Sequence, residues 1–184
     1  MQIIERAFYL NKIRPFIGKN IIKVIVGQRR VGKSYFLRQI MQELSQRESN
    51  IIYINKELYE FDSIKTYHDL LTYLKNHLKA DKPNAIFIDE IQDIQEFEKA
   101  LRHLQAKEDY DIYVSGSNAN LLSGELATLL SGRYIEMPIY SLSYPEFLQF
   151  HHLDSSEETL FQYIRYGGLP YLIHLELDDQ IVYD

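Results

Sequence analysis

Eight residues near the start of the chain, Gly27-Gln28-Arg29-Arg30-Val31-Gly32-Lys33-Ser34, leave few folds open. They fit G-x-x-x-x-G-K-[ST], a pattern whose mechanism needs a strand before it and a helix after it. Ile21 to Val26 is short and β-branched, broken by Lys23, and predicts a buried strand. From Lys33 to about Arg47, the residues Phe36, Leu37, Ile40, Met41 and Leu44 recur on one face, which predicts a helix. Two glycines let the backbone wrap with its N–H groups inward, at the end of a helix dipole that favours anions. The rival reading, a glycine-rich turn with an incidental lysine, gives no reason for that strand and helix.

The expected phosphate site is therefore Gly27, Gln28, Arg29, Arg30, Val31, Gly32, Lys33 and Ser34, followed by Tyr35. Lys33 would reach the β- and γ-phosphates of ATP, and the Ser34 hydroxyl would ligate Mg²⁺. Arg29 and Arg30 fill variable positions. Holding phosphate, contacting a neighbour and facing solvent all remain open for them.

Further apolar runs follow at Ile51–Ile54, Ala85–Ile88, Ile112–Val114 and Tyr134–Met137. Between them, Tyr67–Leu78 and Ile94–Gln105 have helical period, as does Leu121–Leu130 with a break at Ser123-Gly124. Ile3 to Ile17 reads as an amphipathic helix ahead of the first strand. Continuously apolar strands alternating with helices predict an α/β fold, a parallel sheet covered on both faces. After Pro138 the pattern is helical only. Ser143 with Glu146, and Ser155 with Glu158, have capping-box spacing. Gly167-Gly168 closes the second of these helices, and Pro170 opens another segment.

The run Ala85-Ile86-Phe87-Ile88 ends in Asp89-Glu90. A buried parallel strand delivers side chains from its C-terminal end into the crevice where ligands bind. Asp89 is placed to hold Mg²⁺ through water, and Glu90 to orient and deprotonate a water, which favours hydrolysis over transfer to a second substrate. The next strand runs into Ser115-Gly116-Ser117-Asn118. Ser117 and Asn118 are the candidates to position water against the γ-phosphate, with turn chemistry as the plainer alternative. Arg133, before the last strand, is a candidate to stabilise charge on the γ-phosphate; a helix-end arginine is the plainer reading.

Composition closes other routes. The chain of 184 residues has no Cys, so disulfides, thiolate metal sites and Cys nucleophiles are excluded. With 46% hydrophobic and 25% charged residues it can build a core, so disorder is not its main state. A net charge of −6 does not advertise a nucleic-acid or anionic-membrane surface. No run approaches a membrane span, and Glu5 and Arg6 interrupt any secretory h-region, so the expected location is the cytoplasm. The six His show no metal-ligand spacing. The sequence alone offers no reason for fifteen Tyr.

The ordered set GQRRVGKS, FIDEIQ, SGSNANLLSGE, SGRY and PIYSLSYPEF resembles the AAA+ superfamily, and more narrowly the prokaryotic AAA+ ATPases that carry a C-terminal domain of unknown function. The resemblance implies a P-loop NTPase three-layer sandwich with five parallel strands in the order 5-1-4-3-2, then a helical lid. It implies Ser117 or Asn118 as sensor 1 and Arg133 as the arginine finger. Tyr166-Gly167-Gly168-Leu169-Pro170 is similar to the Gly-x-Pro element of signal-transducing ATPases, which would put Pro170 near the adenine; helix punctuation is the alternative. The expected division is a nucleotide-binding core over residues 1–154 and a partial lid over 155–184, with the chain truncated there and the family's C-terminal domain absent.

These readings converge on an ATP-binding, Mg²⁺-dependent ATPase domain that takes ATP and releases ADP, with a homo-oligomer or a protein as possible partner. A nucleotide-controlled switch with little turnover is the alternative. A P-loop kinase fits less well, because of Glu90 and the inserted strand.

Overall fold

The computed structural model describes residues 4–117, 130, 132–175 and 177. The apolar runs pair as one parallel sheet of β1 (Ile22–Val26), β2 (Asn50–Asn55), β3 (Asn84–Asp89), β4 (Tyr110–Gly116) and β5 (Tyr134–Pro138). The strand order is β2-β3-β4-β1-β5, the expected order read from the opposite edge. Side chains alternate across the sheet with period two. Ile22, Val24, Ile86, Ile88, Ile112 and Val114 enter one core cluster, while Ile25, Ala85, Phe87 and Tyr113 enter another on the opposite face.

Helices cover both faces. α1 (Ala7–Ile13) and α2 (Lys33–Ser45) close the second cluster through Leu10, Ile13, Phe36 and Leu37. α3 (Tyr67–His77) and α4 (Phe97–Ala106) close the first through Leu70, Leu74, Leu101 and Leu104. The long N-terminal helix expected from Ile3 is shorter than its pattern. It is α-helical only over Ala7–Ile13, and Pro15 turns its end into a 3-10 segment, Arg14–Phe16. The helix expected at Ile94 begins at Phe97, because residues 91–93 form a separate 3-10 turn beyond β3. Of the expected helix at 121–130, residues 121–129 lie outside the described residues.

Lys23, the charge that interrupts β1, is fully buried. Its ammonium donates to Asp111 at 2.5 Å and to the Lys19 carbonyl at 2.7 Å, so the strand stays intact around it. Burial pulls its pKa below the usual lysine range against the opposing pull of Asp111.

Beyond β5, α5 (Tyr144–His151), α6 (Glu157–Tyr166) and a 3-10 segment, Pro170–His174, complete the described chain. Leu142, Phe147 and Phe150 form a third cluster that Tyr163 and Ile173 pack against. The capping box on α5 is Ser143 with Glu146, as its spacing predicts. On α6 the box is Ser156 with Thr159, one residue later than the Ser155–Glu158 pair suggests. Thr159 Oγ1 takes the part of a carboxylate by accepting the Ser156 N–H at 2.9 Å.

A methyl group on Gly168 would stand 2.2 Å from the Leu142 carbonyl oxygen. The Leu142 N–H donates to the Gly168 carbonyl at 2.6 Å, so backbone meets backbone here. Gly168→Ala is expected to lower stability by about 2 kcal/mol or more, read from a denaturant midpoint. An unchanged midpoint would mean that the α6 end is not docked on this connection.

Candidate functional site

β1 ends at Val26 and α2 begins at Lys33, so the phosphate loop lies at the C-terminal edge of the sheet. Gly27 is required there by contact. A Cβ on it would lie 2.3 Å from the Ile139 carbonyl oxygen, and its φ is 153°. Arg30 and Gly32 have φ of 66° and 96°, which curl the loop into the helix. Val31 packs its side chain into the core. No side chain caps the N-terminus of α2, which leaves its first N–H groups for an anion.

The loop borders a cleft of about 1080 Å³. Arg29, Arg30, Gly32, Lys33, Ser34 and Tyr35 line one side, and Asn55 and Glu90 reach it from the ends of β2 and β3. Ile4, Phe150, Pro170, Tyr171 and Ile173 supply an apolar wall. Pro170 lies against the loop, with its Cγ 3.6 Å from where a Cβ on Gly32 would sit. Lys33 is buried, and its ammonium donates to the carbonyls of Gly27 at 3.2 Å and Gln28 at 3.1 Å. The Glu90 carboxylate stands 3.6 Å from that ammonium. Gly27 and Gln28 thus act through backbone oxygens, while the Gln28 side chain is exposed.

The two acids at the end of β3 have different surroundings. Asp89 is fully buried. Ser115 donates its hydroxyl to Oδ1 of Asp89, and Tyr53 donates its hydroxyl to Oδ2 at 3.1 Å. Burial and the Asp89 charge push the Tyr53 phenol up, so it remains a donor, although Arg38 pulls the other way. Glu90 has a left-handed backbone, φ 55°, where its N–H donates to Ser115 Oγ at 3.3 Å. Burial raises the Glu90 pKa. The Gln92 amide, the Lys33 charge and hydrogen bonds from Ser117 more than offset this and hold it below the usual range. Gln92 Nε2 donates to Glu90 Oε2 at 2.5 Å.

The structure therefore brings Lys33, Ser34, Glu90, Ser117 and Pro170 to one region, with Asp89 directly behind it. Asn118 lies outside the described residues. Arg133 is elsewhere. It is exposed just before β5, and its carbonyl accepts the Ile22 N–H at 3.0 Å. That is the opposite end of β1, about 16 Å from the loop. Sequence reasoning missed Tyr53 and Ser115, whereas Arg38, expected beside Arg29, Arg30 and Lys33 near the phosphates, does line the cleft. Ser115 was hidden because β4 runs on to Gly116 instead of ending at Val114. The available signal was a hydroxyl inside an apolar strand, which must find a partner when buried.

The oxygen donors present suit a divalent cation. The Ser34 hydroxyl opens the helix, and the Asp89 carboxylate is oriented by two hydroxyl donors. Among the described residues no group of three or more acids and histidines is placed to hold a metal ion by itself. No helix among them is long and apolar enough to cross a membrane.

A family model described as an AAA domain matches residues 19–148. An uncharacterized protein of Haemophilus influenzae is 40% identical over 179 residues, 93% of this chain and 45% of its own length. An uncharacterized protein of Methanocaldococcus jannaschii is 33% identical over 182 residues, 92% of this chain and 40% of its own. The chain thus spans less than half the length of either relative. Among solved structures, AMPPCP-bound DnaA from Aquifex aeolicus aligns with a TM-score of 0.59 at 13% identity, over 94% of this chain and 61% of that one. At that identity the likeness is one of fold.

Proposed function

The chain belongs to the AAA domain family, with an AAA+ P-loop ATPase fold, and from that premise we propose that its cleft binds ATP with Mg²⁺ and hydrolyses the β–γ phosphoanhydride bond. The observation that carries this reading is the meeting of Lys33, at the start of α2, and Glu90, just past the end of β3, at 3.6 Å in one cleft. A cation for the phosphates and a carboxylate for water are what hydrolysis needs side by side.

In this reading the loop N–H groups and the α2 N-terminus bind the triphosphate, and Lys33 exchanges its carbonyl partners for phosphate oxygens. Ser34 and Asp89 would hold Mg²⁺, which would supply neutralisation of the phosphate charge. Ser117, bonded to Glu90, orients that carboxylate against the attacking water, which passes a proton to it. Ile4, Phe150, Pro170 and Tyr171 wall off the base end of the nucleotide from solvent. Phosphate release from ATP in the presence of Mg²⁺, stopped by a chelator, is the expected result. Release that a chelator leaves unchanged would overturn the metal assignment.

Arg133 is too far from the loop of its own chain to touch the same nucleotide, so its part as a finger requires a second copy. Arg133→Ala is expected to lower turnover about tenfold or more with ATP affinity unchanged. Mixing that variant with Glu90→Gln chains should restore part of the rate. Failure of mixed chains to exceed either variant alone would remove Arg133 from the site.

One observation favours a second reading, a nucleotide-controlled switch with slow hydrolysis. Gln92, Lys33 and Ser117 all engage the Glu90 carboxylate and weaken it as a base. Tight ATP binding with negligible turnover would select this reading.

A further inference from the structure

Arg6 lies outside every motif read from the sequence, yet its side chain is only 3% exposed. Its Nε–H donates to Glu146 Oε1 at 2.9 Å, and Nη2 donates to Glu146 Oε2 at 3.0 Å and to the Ser141 carbonyl at 3.4 Å. Nη1 donates to the Tyr140 carbonyl at 2.9 Å and to the Val31 carbonyl at 3.2 Å. Those contacts use all five N–H donors of a guanidinium. The Tyr9 ring packs beneath it, 4.5 Å from Cζ. Behind Arg6, its own N–H donates to Gln39 Oε1 on α2 at 3.1 Å, and Gln39 donates back to the Ile4 carbonyl at 2.8 Å.

A buried guanidinium costs desolvation that an apolar side chain would avoid, so its retention points to geometry more than to stability. The geometry it sets is that of the phosphate loop. Val31 directly precedes Gly32-Lys33, and no peptide bond among the described residues is cis. In a planar trans peptide the C=O and the next N–H point in opposite directions. Holding the Val31 carbonyl on Arg6 therefore turns the Gly32 N–H away from Arg6. Gly32, with φ 96°, would otherwise let that peptide rotate freely.

We propose that Arg6 is a positioning residue for the phosphate loop: braced by Glu146, it fixes the Val31–Gly32 peptide so that the Gly32 N–H is presented to the phosphates of the nucleotide. The proposal deepens the ATPase reading and rests on it. Glu146 is suited to the brace, because its carboxylate also accepts the Ser143 N–H at 2.9 Å in the α5 capping box. The loop, the β5–α5 connection and the segment before α1 thereby share one side chain.

The test compares ATP with inorganic tripolyphosphate, which has the phosphates and no base. Arg6→Lys keeps the charge but offers three donors and no planar fork. It is expected to lose about tenfold in affinity for both ligands, by equal factors, with a melting temperature near that of the parent chain. Tripolyphosphate affinity within twofold of the parent would overturn the proposal and leave Arg6 a structural staple. Loss confined to ATP would also overturn it, by assigning Arg6 to the base end of the cleft, which it borders. Should Arg6→Lys fail to fold, Glu146→Gln removes the brace while sparing the residue. A several-fold loss of tripolyphosphate affinity is expected there, and no loss would overturn the proposal. Lys33→Ala measured in parallel separates the two levels. If it binds tripolyphosphate as well as the parent does, the phosphate-loop reading falls and takes this proposal with it.

Discussion

Lys33→Ala is expected to lower ATP affinity on the order of 100-fold and to leave no measurable turnover. The ammonium is the buried cation at the mouth of α2, and its present partners are two loop carbonyls and the Glu90 carboxylate. At 3.1 to 3.6 Å those contacts are long, and a phosphate oxygen would replace them with a shorter charge-assisted bond. Removal of the cation leaves the γ-phosphate facing Glu90 without neutralisation, so the loss is larger than that of one neutral hydrogen bond. The fold should survive, because the core around α2 rests on Phe36, Leu37 and Ile40. Equilibrium titration with a fluorescent ATP analogue reads the effect, alongside a melting curve. Affinity equal to the parent chain's would remove the phosphate-loop assignment outright.

Glu90→Gln should behave in the opposite way, with ATP binding retained and turnover reduced about 1000-fold. The amide keeps the size and one accepting oxygen for Gln92 or Ser117, but its NH2 edge can only donate and it cannot take a proton from water. Removing a negative charge 3.6 Å from Lys33 should, if anything, tighten binding of an anionic nucleotide. The pH profile of the parent chain carries a second signature. The lowered Glu90 pKa means that the carboxylate is ionised and able to act as base across the neutral range, and that activity falls only as pH drops through the low carboxylate region. A Glu90→Gln chain that hydrolyses ATP at the parent rate would show that another group takes the proton.

Much of this site is legible in the residues because its chemistry is local. The loop glycines, Lys33 and Ser34 are fixed by backbone geometry within eight positions, and Asp89 and Glu90 by the end of an apolar strand. The parallel sheet is legible in the strands alternating with helices, and its strand order is the one the family resemblance implies. What the sequence hides are partners brought from afar. Tyr53 and Ser115 reach Asp89 across 36 and 26 positions, and Arg6 reaches Glu146 across 140. No periodicity encodes those contacts; the first two come from the adjacency of β2, β3 and β4, and the third from the segment before α1 meeting α5.

Four of the fifteen tyrosines gain a physical account from their hydroxyl partners. Tyr53 bonds Asp89, Tyr113 bonds Asp111, Tyr163 bonds the Leu142 carbonyl, and the Tyr9 hydroxyl accepts the Tyr140 N–H. Each places an apolar ring in or beside a core and a polar tip on a hydrogen-bond partner, which for Tyr53, Tyr163 and Tyr9 lies on another segment and for Tyr113 lies two residues back on the same strand. The capping box on α6 is misread for a related reason. A Thr hydroxyl can replace a Glu carboxylate in the motif, and the S-x-x-E pattern then points one residue early. Arg133 shows the limit of motif transfer, since its place in the motif order does not reveal that it lies at the opposite end of β1 from the phosphate loop.

The most direct measurement is phosphate release per chain from ATP, followed across a wide range of protein concentration, with Glu90→Gln chains run beside the parent. The account predicts Mg²⁺-dependent release that rises per chain with concentration, as Arg133 is supplied by a neighbour, and near-background release from Glu90→Gln throughout. Release of equal size from both chains would contradict it, as would no binding of ATP at any concentration.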